Sequence, residues 1–382
     1  MLTDLTIVDF STQGPGPRST RLLADYGARL IKVRPTNARN RLLEPPPYSY
    51  SGDRDVERIR IDLKDPAGQA AARDLVCLAD VVVESFRPGR ASRLGIGYED
   101  LSKVRPGLVY CSVSGYGQTG PYADRPGHDL NYLGIAGYVD VTGRTAEGVS
   151  ALPGATVADG AGGLCAALAV LAAVVRSRST GEGAYLDVSV TEAAIRMTGL
   201  FLDEHLATGA DISPGGHRLT GGLACYDVYA AGDGQITVAA LEPHFWRRLC
   251  ELLALPDHLL TRQRDPEAQP EIRALLRERF RTGSRRHWVD LLGAECCVGP
   301  VHTVAEVFAD PQLRGRGLTW QVPRANGARV EQLAPNLAGG PSSPRPGTVL
   351  RDKSETDTAA LLSEAGLLDR DIETLRSAGV VE

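Results

Sequence analysis

Three separated positions in this sequence carry side chains that can exchange protons near neutral pH. His128 and Asp129 follow Gly127 after a predicted strand, Asp159 opens a glycine-rich predicted helix, and Glu242 ends a second predicted strand. A histidine titrates near neutrality, and a carboxylate beside it can orient its ring and stabilise its charged form. If the fold brings these residues together, they form a two-base proton-transfer site that needs no metal or redox cofactor.

Each of these acids also has a structural interpretation. Asp159 can cap the helix that it opens, and the helix dipole would then lower its pKa. The glycines that follow, Gly160, Gly162 and Gly163, argue against capping alone, since they are costly at a helix start and would let a ligand approach closely. A glutamate at a strand end, such as Glu242, is often simply solvated.

Composition excludes several other classes of function. A chain of 382 residues with 43% hydrophobic residues predicts two globular domains. The net charge of −5 and the lack of a dense basic run argue against a nucleic-acid partner. No signal-peptide pattern is expected in the first twenty residues, and the apolar run Leu164–Val175 is too short to span a membrane. The seven scattered cysteines and isolated histidines favour a reduced, cytoplasmic protein without a metal site.

Alternating strands and helices organise the first half of the chain. A strand at 5–10, a helix at 19–26 and a strand at 30–33 make a βαβ unit, which predicts an α/β fold with a parallel sheet. The strongest helix prediction covers 160–176. We expect a large domain over 1–208, a linker at 209–222 rich in Gly, Ser and Pro, and a small α/β domain over 223–324. Residues 323–352 show no clear elements, which is typical of a segment that wraps a surface or a partner subunit.

The turn after the first strand, Gly14-Pro15-Gly16-Pro17-Arg18-Ser19, differs from a dinucleotide-binding loop. Two prolines remove backbone donors and the third glycine is absent. The second strand ends at Arg34, where an NAD-binding fold wants an acid. Another phosphate-bearing ligand, or a simple surface position for Arg34, remains open.

These motifs resemble the family III CoA-transferase superfamily, also called the CaiB/BaiF family. The likeness extends over nearly the whole chain, and within the family it is greatest to the α-methylacyl-CoA racemases. It rests on the following segments: Gly14-Pro15-Gly16-Pro17, Leu23-Ala24-Asp25-Tyr26-Gly27-Ala28, Ile61-Asp62-Leu63-Lys64, Phe86-Arg87-Pro88-Gly89, Ser114-Gly115-Tyr116-Gly117-Gln118-Thr119-Gly120 and Cys297-Val298-Gly299-Pro300-Val301.

The resemblance implies two alternative activities. Racemases of the family share Gly-His-Asp-x-Asn-Tyr, reproduced at 127–132, and a Glu-Pro pair, reproduced at Glu242. This implies His128 and Asp159 as two bases, Glu242 as support for His128, and the Asp129 N–H as a donor to the thioester oxygen. In transferases the acid matching Asp159 is a nucleophile that forms acyl intermediates. A third alternative is a divergent member that acts on or binds another carbonyl compound.

The resemblance also implies the architecture and the ligand. Family members have a large Rossmann-like domain, completed here by about 325–382, a smaller α/β domain, and two chains interlocked as a homodimer. Coenzyme A enters as part of the acyl-CoA substrate, so no separate cofactor is expected. The residues expected to contact it are Gly14, Gly16, Arg34, Lys64 and Arg87.

Two departures from the family pattern bear on substrate binding. A basic run usual before the Asp-Leu-Lys segment is replaced by Arg54-Asp55-Val56-Glu57, which places an acid where positive charge is usual. The racemases also line their acyl site with many methionines, whereas this chain has two, Met1 and Met197. Methionine is the adaptable apolar residue, so either the acyl site is narrower or leucine takes its place.

Overall fold

The computed structural model describes residues 1–36, 54–324, 326–335, 338–352 and 354–382. The described residues form two compact units. The first unit comprises Met1–Ala136, Ala155–Met197 and Arg314–Glu382, and the second comprises Gly137–Gly154 and Thr198–Leu313.

A six-stranded parallel sheet lies at the centre of the first unit. Its strands are β1 (Thr6–Asp9), β2 (Arg29–Arg34), β3 (Val56–Arg60), β4 (Val81–Glu84), β5 (Val109–Ser114) and β6 (Ala184–Ser189). They lie in the order β3-β2-β1-β4-β5-β6, and every neighbouring pair is parallel. In a doubly wound sheet of this order, ligands bind at the carboxyl ends of the strands where the order reverses, here between β1 and β4. The predicted α/β class with a parallel sheet is confirmed.

The central strands of this sheet are apolar on both faces, as a covered parallel sheet requires. Val81, Val82 and Val83 of β4 are all fully buried. The α-helices that cover the sheet and build the second unit are, in chain order, α1 (Pro15–Asp25), α2 (Pro66–Val76), α3 (Arg90–Arg93), α4 (Tyr98–Val104), α5 (Asp129–Ile135), α6 (Tyr138–Val141), α7 (Val157–Thr180), α8 (Val190–Thr208), α9 (Pro243–Leu253), α10 (Gln269–Arg281), α11 (Arg285–Leu292), α12 (Val304–Val307), α13 (Pro311–Gly315), α14 (Thr358–Glu364) and α15 (Asp369–Ser377).

Helix α1 packs directly against the beginning of α7. A Cβ on Gly162 would lie 3.1 Å from Pro15 Cβ, and a Cβ on Gly163 would lie 2.9 Å from Arg18 Cβ and 3.3 Å from the Pro15 carbonyl oxygen. These two glycines therefore serve the approach of two helices, whereas the sequence suggested that they leave room for a ligand.

Helix α7 is long and apolar enough, by length and composition, to cross a membrane. Half of its most apolar stretch is buried within the protein. Core helices of soluble proteins meet the same criteria, so this property is weak support for a membrane span.

The second unit contains an antiparallel sheet of β7 (Tyr226–Ala231), β8 (Gly234–Ala239) and β9 (Val298–Pro300) in the order β7-β8-β9. The core of this unit includes Tyr229, Trp246 and Phe280, which are almost fully buried. Trp246 belongs to α9 and Phe280 to α10, so both helices contribute side chains to one core with the sheet.

The segment predicted to lack clear elements contains a strand. β10 (Thr319–Pro323) pairs antiparallel with β11 (Arg329–Leu333). This correction arises because a short alternating strand next to many prolines gives little local signal. The described residues beyond it belong to the first unit and form hydrogen bonds at the end of α1: Tyr26 donates to the Ala338 carbonyl, and Arg345 donates to the Ala24 carbonyl. Residues 325, 336 and 337 of this segment lie outside the described residues.

The predicted domain boundaries differ from the two compact units. Residues 137–154 and 198–222 belong to the second unit, whereas we placed 1–208 in the large domain and 209–222 in a linker. The small domain, predicted to end at 324, ends at Leu313. The supposed linker forms tight turns, in which Thr220 and Gly222 both donate to the His217 carbonyl. Glycine and serine are as common in such turns as in linkers, so composition alone does not distinguish the two.

We predict that Gly163→Ala lowers the free energy of unfolding by about 1–3 kcal/mol, because the added methyl group overpacks the contact with α1. Gly199→Ala is the matched control, since a Cβ there meets no atom within 4 Å and alanine favours a helix by up to about 1 kcal/mol. Urea denaturation measures both. Equal effects of the two substitutions would show that the α1–α7 contact is not tight.

Candidate active site

A cavity of about 340 Å³ opens in the first unit. The loops after β1, β4 and β5 supply most of its wall, at the point where the strand order reverses. Its lining residues are Gln13–Pro15, Ser85–Pro88, Val113–Gly115, Ala123, Arg125–Asp129, Tyr132, Asp159 and Val190. The cavity therefore lies where a doubly wound sheet places its ligands.

Three of the four predicted catalytic residues line this cavity: His128, Asp129 and Asp159. His128 directly precedes α5 in an extended conformation, and its backbone N–H donates to the Asn131 side chain at 3.0 Å. The His128 side chain is exposed, which leaves the imidazole accessible from the cavity.

Asp129 fastens the start of α7 to the start of α5. Its Oδ1 accepts a hydrogen bond of 2.9 Å from the backbone N–H of Asp159. The first N–H groups of a helix lack partners within the helix, so an acid from another segment can stabilise them. We expected the Asp129 carboxylate to orient the His128 ring. Its described hydrogen bond holds the backbone of the second proposed base instead.

Asp159 does not cap α7, because Thr156 occupies the N-cap position and Asp159 is the third helical residue. Burial raises the pKa of Asp159; Arg18 opposes this shift, Asp129 adds to it, and His128 opposes it. The net shift is upward because burial outweighs the favourable charges, whereas the helix dipole alone would lower this pKa. The carboxylate lies beside Gly14, where a Cβ would be 3.7 Å from Oδ2.

Tyr132 supports the Gly127-His128-Asp129 tripeptide, a role that our sequence reasoning did not assign. Its hydroxyl donates to the Gly127 carbonyl at 2.6 Å. A Cβ on Gly127 would lie 2.7 Å from the Tyr132 ring, and one on Gly115 would lie 2.5 Å from its hydroxyl oxygen. Burial raises the pKa of Tyr132 to about 12, so it stays a hydrogen-bond donor. The sequence contained a signal for this role, because Gly127 and Tyr132 belong to the 127–132 motif and Gly115 belongs to the 114–120 segment.

The profile of CoA-transferase family III matches residues 2–348 of the sequence. The chain belongs to CoA-transferase family III. The resemblance to this family inferred from the sequence motifs is confirmed.

Relatives with two different activities occur within this family. Succinyl-CoA:glutarate CoA-transferase of Homo sapiens is 29% identical over 398 residues, which cover 100% of this chain and 90% of the relative. Alpha-methylacyl-CoA racemase of Homo sapiens is 32% identical over 320 residues, which cover 83% and 81%. A solved CAIB/BAIF family protein from Brucella suis has a TM-score of 0.79 and 27% identity, covering 94% of this chain and 98% of that one.

Two of the five residues expected to contact coenzyme A line the cavity of this family III member: Gly14 and Arg87. Gly16, Arg34 and Lys64 are not among the described lining residues. Gly16 is required for packing, because a Cβ there would lie 2.6 Å from Ser11 Cβ. Arg34 donates to the Ser11 carbonyl at 2.6 Å and so holds the loop after β1.

A second arginine, Arg125, lines the cavity together with Arg87. Its guanidinium lies 3.9 Å from the centre of the Tyr122 ring. No local motif marks this arginine, since it stands alone in a loop of mixed composition.

The unusual run Arg54-Asp55-Val56-Glu57 is engaged within the first unit. Arg54 is buried and donates to the Leu333 carbonyl at 2.6 Å. Asp55 accepts from Thr348, and Glu57 pairs with Arg29 at 2.8 Å. These side chains therefore stabilise the fold. The run also carries an acid where the family resemblance leads us to expect positive charge.

Glu242 belongs to the second unit, where it immediately precedes α9. Its support of His128 stays a prediction. Among the described residues, no group of three or more His, Cys, Asp or Glu side chains is arranged to hold a metal ion.

A buried acid, Glu84, joins two loops that line the cavity. It accepts hydrogen bonds from the Phe86 N–H at 2.7 Å and from the Ser112 hydroxyl. Gln118 donates to the same hydroxyl at 2.8 Å. Glu84 thereby connects the loop after β4 with the loop after β5. Burial raises the pKa of Glu84 to about 6, against the opposing effect of these hydrogen bonds.

We predict that Glu84→Gln changes the pH dependence of stability. A carboxyl group whose pKa is raised on folding destabilises the protein when ionised, and this cost disappears as the pH falls from about 6 towards 4.5. Relative to wild type, the variant should gain about 2 kcal/mol in unfolding free energy between pH 4.5 and pH 8. Urea denaturation at both pH values measures this. The exposed Glu278→Gln is the control, and an equal gain there would contradict the assignment.

Proposed function

We propose that this member of CoA-transferase family III is an acyl-CoA racemase or epimerase. It inverts the α-carbon of a 2-methylacyl-CoA-like thioester by two-base 1,1-proton transfer through an enolate. One observation carries the proposal: His128 and Asp159 line one cavity, and Asp129 joins the segments that bear them.

The proposed reaction begins with the α-proton of the thioester, which is only weakly acidic. One base, His128 or Asp159, removes this proton from one face, and the other returns a proton to the opposite face. Each enantiomer requires the opposite starting protonation of the two bases, so the pair titrates as a coupled unit. Because neither base is strong, the enolate must be stabilised by donors aimed at the thioester oxygen. The Asp129 N–H, at the first position of α5, is the proposed donor.

The charges around the cavity suit a coenzyme A ester. Arg87 and Arg125 both line the cavity, and guanidinium groups bind phosphates with charge-assisted hydrogen bonds. The Gly14 backbone leaves space next to Asp159 because no side chain intervenes. The cavity contains no methionine among its described lining residues, which supports an acyl site less adaptable than a methionine-rich one.

A CoA-transferase is the second candidate, because Asp159 is half-buried and faces the cavity beside Gly14. In that reaction the carboxylate would attack the thioester carbonyl, expel the CoA thiolate and form a mixed anhydride. The human relative with 29% identity is named as a CoA-transferase. His128 then would have no role as a base.

An apolar stripe on α7 supports a homodimer. Leu164, Leu168 and Val175 are 59%, 69% and 72% exposed, and their spacing places them on one side of the helix. Exposed apolar residues that form a contiguous patch mark interaction surfaces. We infer that a second copy of this chain covers the stripe, in the interlocked arrangement implied by the family resemblance.

We predict that the wild-type protein incorporates one solvent deuterium at the α-carbon of a 2-methylacyl-CoA without any acceptor acid. His128→Ala and Asp159→Asn should each lower the exchange rate by at least about 100-fold, since each removes a proton-transfer group. Mass spectrometry of thioesters incubated in D₂O measures the exchange. The control is Glu278→Gln, which should exchange at the wild-type rate.

Two results of this experiment separate the candidates. Absence of exchange across short and bulky 2-methylacyl-CoA esters would contradict racemisation. A hydroxylamine-sensitive acyl adduct on Asp159 that survives in His128→Ala would favour the transferase.

We also predict that Leu164→Glu combined with Leu168→Glu lowers the mass in solution from twice the chain mass to that of one chain, because two charges would be buried at the interface. Light scattering after size-exclusion chromatography measures this. Val304→Glu is the control, since Val304 is 81% exposed but lies in the second unit. A monomeric wild-type protein would overturn the dimer.

A further inference from the structure

Arg18 of α1 lies along the first turns of α7. Its Nη2 donates to the Thr156 hydroxyl at 2.8 Å, and its Nη1 is 3.9 Å from the position of a Cβ on Gly160. Its Cβ contacts the helix at Gly163. Thr156, Gly160 and Gly163 share one face of α7, because residues three and four apart are neighbours on a helix.

Asp159 lies in the same first turn of α7, three residues after Thr156, so the two are neighbours on the helix surface. Contacts at Thr156 and Gly160 hold the guanidinium of Arg18 at this turn of α7, where its positive charge acts on the Asp159 carboxylate. This placement depends on the close crossing of α1 and α7, since a side chain at Gly163 would displace the Arg18 backbone and with it the guanidinium.

The charged and titratable groups that act on Asp159 come from three elements. Arg18 belongs to α1, His128 precedes α5, and Asp129 and Tyr132 are part of α5. Arg18 carries a positive charge at every working pH and favours the ionised form of Asp159. Asp129 contributes negative charge, which acts against ionisation of Asp159.

We propose that Arg18 is a positioning residue that keeps Asp159 in its carboxylate form. The inference rests on the proposed two-base reaction and deepens it. The resting Asp159 is then a carboxylate that can accept a proton, and the turnover that it begins pairs it with a protonated His128.

This resting state determines how the first turnover proceeds. The α-carbon–hydrogen bond breaks, its proton passes to Asp159, and its electron pair enters the enolate. His128 then gives its Nδ1 or Nε2 proton to the opposite face of the α-carbon, and the enolate electrons form the new carbon–hydrogen bond. Asp159 ends protonated and His128 neutral. Proton exchange with solvent returns the pair to the form that Arg18 favours.

The test compares Arg18→Gln, which removes the charge, with Arg18→Lys, which keeps it. Titration of ¹³Cγ-aspartate by NMR, with Asp159→Asn to assign the signal, reads the carboxyl group without substrate. The apparent pKa of Asp159 should rise by about 1 unit in Arg18→Gln and stay near the wild-type value in Arg18→Lys. Asp129→Asn should shift it in the opposite direction, since a negative neighbour is lost while the amide oxygen still accepts the Asp159 N–H.

An unchanged pKa in Arg18→Gln would overturn the inference. So would equal shifts in the two Arg18 variants, since that would assign the effect to packing and not to charge. Arg18 is partly exposed, so Arg18→Gln and Arg18→Lys should change the urea midpoint by no more than a typical substitution of a partly exposed residue.

The pH profile of α-deuterium exchange provides the second arm. Its acidic limb should move to higher pH in Arg18→Gln and remain in place in Arg18→Lys, whereas a merely structural role would lower the rate equally at every pH. If wild type exchanges no deuterium at all, the racemase proposal fails, and the NMR titration still decides the role of Arg18.

Discussion

The close crossing of α1 and α7 is the contact on which the geometry of this site depends. It is possible because Gly162 and Gly163 present no side chains where Pro15 and Arg18 approach. The crossing brings Gly14, at the end of the first sheet loop, so close to Asp159 that a Cβ on Gly14 would lie 3.7 Å from the carboxylate. A bulkier residue on either helix would separate the first loop of the sheet from the acid that opens α7. Packing density and chemistry are therefore coupled at this point.

The second connection to Asp159 is electrostatic. Its backbone N–H is held by Asp129, while its carboxylate is influenced by burial, by Arg18, by Asp129 and by His128. Arg18 and Asp129 carry opposite charges and shift the pKa of Asp159 in opposite directions. A group that must exist in both protonation states during one reaction requires such a balance, because a fully stabilised carboxylate would not accept a proton and a fully buried acid would not release one.

Relatives of this chain are named as CoA-transferases and as racemases. In the two proposed reactions, Asp159 serves as a nucleophile in the transferase and as a base in the racemase. The proposed racemase also requires a second proton-transfer group, for which we propose His128; its backbone N–H donates to Asn131, and Tyr132 donates to the Gly127 carbonyl. The arginines on the cavity wall suit a phosphate-bearing substrate in either reaction, so they carry no information about which reaction occurs.

The amino-acid sequence determined the types of chemistry available and the parallel α/β sheet, because both are written in short motifs and in local hydrophobic periodicity. The sequence also marked His128, Asp129 and Asp159 as candidate site residues, because His128 and Asp129 lie in one contiguous motif and Asp159 begins a predicted helix. Only the tertiary structure decided what the glycines of α7 contact, which way the pKa of Asp159 moves, and that Arg54 is internal. Arg18 lies far from Asp159 in sequence, so no local pattern could reveal their proximity. Burial and charge act through space, and their balance exists only after the chain has folded.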